Sequence, residues 1–450
     1  MTSDQKPGGI ANALLHGLVL LLVLSFWLPE IRVGLSGFSY PPPGAEFGAD
    51  APFARAGLPW VFEILIILMV PTFILGLLLG ELSFNFNWAV VAILILCCLA
   101  VFVIPLSYIM GLKESGAAFG HKRFTFESYD LLLMVSQMKW SYRNLRRVVW
   151  VFIGAAVFHS VVVLLSSRNI NFLPLPPAVS DSGELARYAG LFSQPSRFSL
   201  FVSMGTVLIY ALIIRQRPIM SLKQILLIGC MLICLAGVAL GQTRAAFVGI
   251  PLVLILATYG SGKSSRTSTQ VFQKTFLIGA VLGGIILFVL VTNLSPYFSE
   301  RFGSRFIEQQ ETGARGLVWP LTLETIIHYP LGIGYVPLNY INKHNLGHAH
   351  NLFLQVAVMF GIPALVIFIY FLVKLFRGIN SLEYNDLPGI EYVTAIKWAV
   401  AVFLINGMFE PFFITNVGIY FWLFAGILVA YIQRYSIKSY QPRKELASPA

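Results

Sequence analysis

Charge is scarce in this chain of 450 residues: Asp, Glu, Lys and Arg together make up 11% of it, against roughly 25% in an ordinary soluble domain. So little charge excludes a cytosolic globular enzyme and a disordered polymer alike. Cysteine is scarce too. Cys97 and Cys98 are adjacent, and Cys230 and Cys234 lie one helical turn apart. All four sit inside apolar runs with no histidine or acid at metal-ligand spacing, so they form neither a disulfide framework nor a zinc site. Internal repeats and a soluble domain are missing. A cleavable leader is not expected either. The run after Ile10 follows only Lys6 and has no small-residue cleavage site, so it reads as a retained helix. What the chain has in abundance is hydrophobic residues, 57% of the total. They fall into about eleven runs of roughly the 20 residues that a bilayer-spanning helix needs. The runs are continuous rather than alternating, which argues against a transmembrane barrel.

Spans are expected near 10–28, 60–80, 87–111, 147–167, 198–214, 222–240, 245–259, 275–293, 352–373, 395–415 and 417–433. The fold class is therefore all-α: one polytopic transmembrane domain over 1–450, with about 11–12 helices. Four connections are long, 29–59, 112–146, 168–197 and 294–351. One set of loops carries 19 lysines and arginines, from Lys113 to Lys444, and the opposite set carries 8. The richer set should be cytoplasmic, which accounts for a net charge of +11 without nucleic acid. The loops 168–197 and 294–351 then face outward. Eleven spans with an inside C-terminus put the N-terminus outside, unless 124–140 forms a further short, re-entrant or interfacial helix.

The outward cations are seven arginines and one lysine. Arginine offers a fixed fork for bidentate phosphate contact and does not deprotonate, so an anionic substrate, a phosphate or diphosphate, is expected on that face. Arg187 opens an outward loop that ends at Arg197, Arg244 sits in a short turn between two spans, and Arg315 precedes Trp319 on an interfacial helix with Leu317, Leu321 and Ile326 inward. Charges this near the hydrocarbon tend to face a cavity or a partner. His350-Asn351 stands immediately before the run that starts at Leu352, which puts an imidazole at the mouth of a helix, where it could take a proton from a sugar hydroxyl. His344 and His348 lie close by, but with no nearby carboxylate the spacing is not a metal signature. Gly332-Ile333-Gly334 reads as a tight turn in preference to a phosphate cradle. Glu63 and Glu410 lie in spans, either as functional acids or as partners of an arginine or of Lys397. His16 and His159, on apolar helices, read as structural.

With these residues in place, the chain resembles the bacterial O-antigen ligase and polysaccharide polymerase superfamily. The likeness rests on Pro330, Gly332, Gly334, His350, Asn351, Leu354, Gln355, Gly361 and Ile362. Upstream, Arg187 with Gly190, Thr243 with Arg244, and Arg315 with Trp319 follow in the family's order, so the likeness covers roughly 185–375. It implies a membrane-embedded, GT-C-like glycosyltransferase that inverts configuration and uses no metal and no cofactor. The donor would be a saccharide on undecaprenyl diphosphate and the acceptor a glycan or glycolipid. Arg187, Arg244 and Arg315 would hold the diphosphate, and His350 would be the base. Arg197, Arg301, Arg305, His348 and Glu410 are secondary candidates. The site would lie in 294–351, facing the periplasm from the bacterial inner membrane.

Three activities share these motifs. A polymerase extends a lipid-linked glycan, a ligase moves it to lipid A-core, and an oligosaccharyltransferase moves it to protein. The polymerase is favoured here, because the outward loop is of moderate length and no added outward domain offers itself to a protein acceptor. A flippase of lipid-linked glycans is the alternative from another class. It would be expected to show internal repeats and broken helices in both halves.

Overall fold

The computed structural model describes residues 9–27, 32–34, 37–39, 61–112, 118–168, 170, 188–192, 194–215, 221–260, 279, 314–336, 338, 348–383, 385, 387–414 and 417–438. Helix follows helix: α1 (Ile10–Ser25), α2 (Val61–Leu78), α3 (Trp88–Ile109), α4 (Ala118–Gln137), α5 (Tyr142–Ser166), α6 (Pro195–Arg215), α7 (Leu222–Gly241), α8 (Arg244–Gly260), α9 (Ala314–His328), α10 (Leu352–Leu382), α11 (Ile390–Gly407) and α12 (Gly418–Lys438). Two three-residue strands, β1 (Arg32–Gly34) and β2 (Gly37–Ser39), pair antiparallel after α1 and are the exception to the all-α expectation among the described residues. Seven of the helices are long and apolar enough to cross a bilayer, and α1 and α8 are shorter apolar helices. The protein is a multi-pass membrane protein.

Polar side chains start these helices by accepting the amides that no helical carbonyl reaches. Asn87 caps α3, Ser141 caps α5, Ser221 caps α7 and Asn351 caps α10. Burial then sorts the bundle. The middle of α6 and of α11 and nearly all of α12 are enclosed, whereas α2 and α3 expose Ile67, Leu68, Val91 and Leu94. Lipid tails are as apolar as leucine, so helix association depends on close packing, and small residues permit it. Gly205 of α6 lies against Ala156 of α5, and Gly237 of α7 lies against Ser160 of α5.

Contacts at the helix ends fix the direction of each crossing. At one end, the Glu81 carboxylate accepts the amides of Ala11 and Asn12, Gln137 accepts the amide of Asn85, and Arg434 donates to the Trp140 carbonyl. The start of α1, the α2–α3 link, the end of α4 and the end of α12 therefore share that end. At the other, Asn351 donates to the Met408 carbonyl beyond α11. The segment 124–140 is thus no interfacial helix. Tyr129 meets Trp422 edge to face, Val135 meets Gly426, and Trp140 meets Arg434, so α4 runs beside α12 along the bundle in the same direction. This corrects the expectation of a single cytoplasmic loop over 112–146. The start of α4, which carries Lys122 and Arg123 in sequence, therefore lies toward the His350 end, whereas Lys113 lies outside the described residues. Ile10 and the end of α12 lie on the same side, which needs an even number of crossings. The described residues supply eleven; the expected span at 275–293 lies outside them.

The largest departure from the expected span at 352–373 is in α10. Gly361, at φ 88° and ψ 168°, breaks it into two helices. The rings of Phe353 and Phe368, fifteen residues apart, have centroids 6.1 Å apart, whereas a straight helix would separate those residues by about 22 Å. The first segment doubles back over the second. The break exposes backbone groups that the loop after α9 satisfies. Ile333 and Gly334 donate their amides to the carbonyls of Val358 and Met359, both at 2.9 Å, and Ile362 donates to the Pro330 carbonyl at 2.9 Å. A Cβ on Gly332 would stand 2.5 Å from the Met359 carbonyl oxygen. The glycine pair therefore serves close backbone pairing, and its amides are not free to cradle a phosphate.

Candidate active site

Four side chains from three parts of the chain converge at the outward end as inferred from charge. Arg197 comes from the first turn of α6, His348 and His350 from the turn before α10, and Glu410 from the link after α11. His350 Nδ1 lies 3.5 Å from Glu410 Oε2, and the two side chains are 34% and 26% exposed, so the pair is reachable from outside. His348 is half-buried. Burial, with His350 and Arg197 adding to it and Glu410 opposing, lowers its imidazole from 6.5 to about 4. His348 is thus held neutral and is not a cationic phosphate ligand.

The local sequence explains the placement. His350 adopts φ 46°, a left-handed conformation uncommon for a residue with a side chain. Its neighbours hold it there. Asn351 Oδ1 accepts the amides of Phe353 and Leu354 at 2.9 and 3.1 Å, and its Nδ2 donates to the Met408 carbonyl at 3.1 Å. Gln355 Oε1 accepts the Ala349 amide at 2.9 Å. The H-N-x-x-L-Q string is therefore a clamp: Asn351 ties the turn to the end of α11 next to Glu410, and Gln355 ties the turn to its own helix.

A second corner lies nearby. Thr243 Oγ1 donates to the Pro195 carbonyl at 3.4 Å, which sets the turn carrying Arg244 against the start of α6, two residues from Arg197. The Tyr188 amide donates to the Leu240 carbonyl at 3.3 Å, so the backbone that follows Arg187 meets the end of α7. Gly190 (φ 58°) lets this loop fold, and Phe192 packs on the His159 ring. His159 Nε2 reaches the Phe26 carbonyl at 2.9 Å, the structural role expected of it. Below the histidine turn, Thr125, Tyr129, Leu352, Gln355, Phe368 and Trp422 line an apolar pocket.

Other expectations fare differently. Arg187, Arg301, Arg305 and His344 lie outside the described residues. Arg315 lies in the first turn of α9, and its side chain is likewise outside them. The inward stripe of α9 is Val318, Thr322, Thr325 and Ile326, with Leu321 only half-buried. Among the described residues, no group of three His, Cys, Asp or Glu is disposed to hold a metal. Lys397 pairs with neither Glu410 nor Glu63. Its Nζ sits 2.7 Å from Glu383 and 3.1 Å from Asn380 Oδ1, near Arg215, at the opposite end of the bundle. The sequence did not point to Asn351 and Gln355 as the clamp, although both fell in the matched string.

Residues 229–369 match a family model described as O-antigen ligase. That similarity covers less than a third of the chain. The matched segment holds Arg244, Arg315, the broken helix and His350, and leaves Arg187, Arg197 and Glu410 outside. Relatives from Rickettsia conorii, Rickettsia felis and Rickettsia typhi, provisionally named polysaccharide ligases, are 23%, 22% and 21% identical over 218, 219 and 219 residues. Those matches cover 44% of this chain and 48–49% of the relatives, so the chain spans about half the length of the curated relatives it matches. The matched family description and the relatives' names have ligase in common.

Proposed function

We propose that the chain is a glycosyltransferase of the ligase kind, which moves a glycan from a lipid diphosphate carrier to a glycolipid acceptor at the outer face of the cytoplasmic membrane. The observation that carries this reading is the His350–Glu410 pair on a strained, clamped turn beside Arg197. A carboxylate beside Nδ1 favours the tautomer with the proton on that nitrogen, orients the ring and leaves the Nε2 lone pair for the acceptor hydroxyl. The acceptor oxygen then attacks the anomeric carbon as its proton passes to Nε2, and the lipid diphosphate leaves from the opposite face with inversion. Arg187, Arg244 and Arg315 carry the proposed role of offsetting the charge on the leaving diphosphate, with Arg197 close to the base. No residue in this scheme calls for a metal. The domain is one transmembrane unit, with 294–351 contributing to the site.

The names of the relatives and of the matching family favour ligation over the polymerase reading, which would use the same residues and differ only in the acceptor. Reconstitution of the purified chain with a lipid-linked glycan and a core glycolipid tests the proposal. Transfer to the core, lost in His350→Ala, is the expected result. Lengthening of the lipid-linked glycan alone would select the polymerase instead. No new glycosidic bond in either acceptor would refute glycosyl transfer.

A further inference from the structure

At the end of the bundle opposite His350, α1 and α5 leave a cavity of about 250 Å³ between them. Ala13, Gly17 and Leu20 form its α1 wall, and Asn144, Arg147 and Val148 its α5 wall, with His16 between. These α5 residues lie in its first two turns. His16 donates through Nδ1 to the Asn12 carbonyl at 2.7 Å and stands edge-on to Trp140, and its enclosed Nε2 has no hydrogen-bond partner among the described residues. The available donors are the Arg147 guanidinium and the Asn144 amide. Arg143 and Arg146 are exposed on the same helix. Glu81, the acid bonded to the start of α1, is occupied by the amides of Ala11 and Asn12. Deeper along α1, Leu21 and Leu24 are exposed and apolar.

We infer that this cavity binds the phosphate headgroup of an anionic phospholipid of the inner leaflet. Arg147 and Asn144 hold the phosphate, and an acyl chain lies along the leucines of α1. The pattern fits that ligand in order of depth: cation and amide at the surface, then leucine toward the bilayer centre. Basic pockets between transmembrane helices on the cytoplasmic side are suited to anionic headgroups. The site is separate from His350 and does not depend on the chemistry proposed there.

Native mass spectrometry of the full chain, titrated with phosphatidylglycerol or phosphatidylcholine, tests it. Phosphatidylglycerol should bind in preference, and Arg147→Ala should weaken it about fivefold, the effect of one cation near an anionic surface. Arg147→Lys should keep most of the preference, and His350→Ala should leave it intact. Gly17→Leu is a second route that does not endanger folding, because a Cβ at Gly17 meets open space and leucine favours a helix over glycine. It should fill the cavity and displace the lipid. Equal binding of phosphatidylglycerol to wild type, Arg147→Ala and Gly17→Leu would overturn the inference. Displacement by millimolar inorganic phosphate would overturn the lipid assignment in favour of a free phosphate.

Discussion

Gly361→Ala attacks the device that sets the outward site. A residue at φ 88° and ψ 168° occupies a region nearly confined to glycine, and a side chain there costs on the order of 1–3 kcal/mol. The new Cβ would also stand 2.6 Å from the Leu331 carbonyl carbon and 2.8 Å from its Cα and oxygen. These are backbone atoms and cannot swing aside. Relief requires the Pro330–Gly334 strap to separate from α10. That would break three backbone hydrogen bonds, each worth about 1 kcal/mol net. The expected loss is about 4 kcal/mol, a large part of the roughly 5–15 kcal/mol that stabilises a typical folded protein. Thermal unfolding of the purified protein should show it as a Tm lower by on the order of 10 °C. Gly229→Ala is the control, since a Cβ there meets nothing within 4 Å and alanine favours a helix by up to about 1 kcal/mol. If Gly361→Ala unfolds at the same temperature as Gly229→Ala, the strap does not hold the break and the reasoning fails.

Removing Lys397 should also destabilise strongly. Lys397→Ala leaves buried Glu383 with Arg215 at 4.0 Å as its remaining cation, so the cost should approach, from below, the about 3–5 kcal/mol of breaking a buried pair outright. Lys397→Met with Glu383→Gln should recover most of the loss in the same melting assay, and equal melting of Lys397→Ala and wild type would refute the pairing. Glu410→Gln should cut transfer about 10- to 100-fold with its pH profile displaced, while His350→Ala with Glu410→Gln should be no worse than His350→Ala alone. Additive losses in that cycle would show that the two side chains act separately. His348 makes a pH prediction. Its folded-state value near 4 lies below the ordinary 6.5, so above about 6.5 it contributes nothing. As pH falls from there toward 4 the unfolded chain takes up a proton that the folded chain refuses, and stability declines. His348→Gln should flatten that part of a Tm-versus-pH curve, and an unchanged slope would contradict the burial of His348.

Hydropathy makes most of this architecture legible, because spanning helices must carry apolar residues all round or nearly so. It misses α4, whose sequence contains Glu127 and Asp130 and whose crossing depends on packing against α12. The break in α10 is hidden for the opposite reason: 352–373 is apolar apart from Gln355. Pro363 and Gly361 hint at a break, but its geometry needs Gly332 and the strap thirty residues upstream. At the site, His350 is legible from its place before an apolar run. Glu410 is legible only as an unusual acid, since its pairing with a residue 60 positions away is set by the end of α11. The glycine pair reads from spacing as a tight turn, whereas its role in pairing with the α10 backbone depends on a partner that spacing does not show.

The most direct measurement of the central claim is made in a strain lacking this gene, complemented with wild type or with His350→Ala. The extracted glycolipids and polysaccharide are separated on a gel. The account predicts that without a working copy, glycan accumulates on its lipid carrier and the core stays bare, and that only wild type restores transfer. Full restoration by His350→Ala would contradict it and would turn attention to movement of the lipid-linked glycan rather than its transfer.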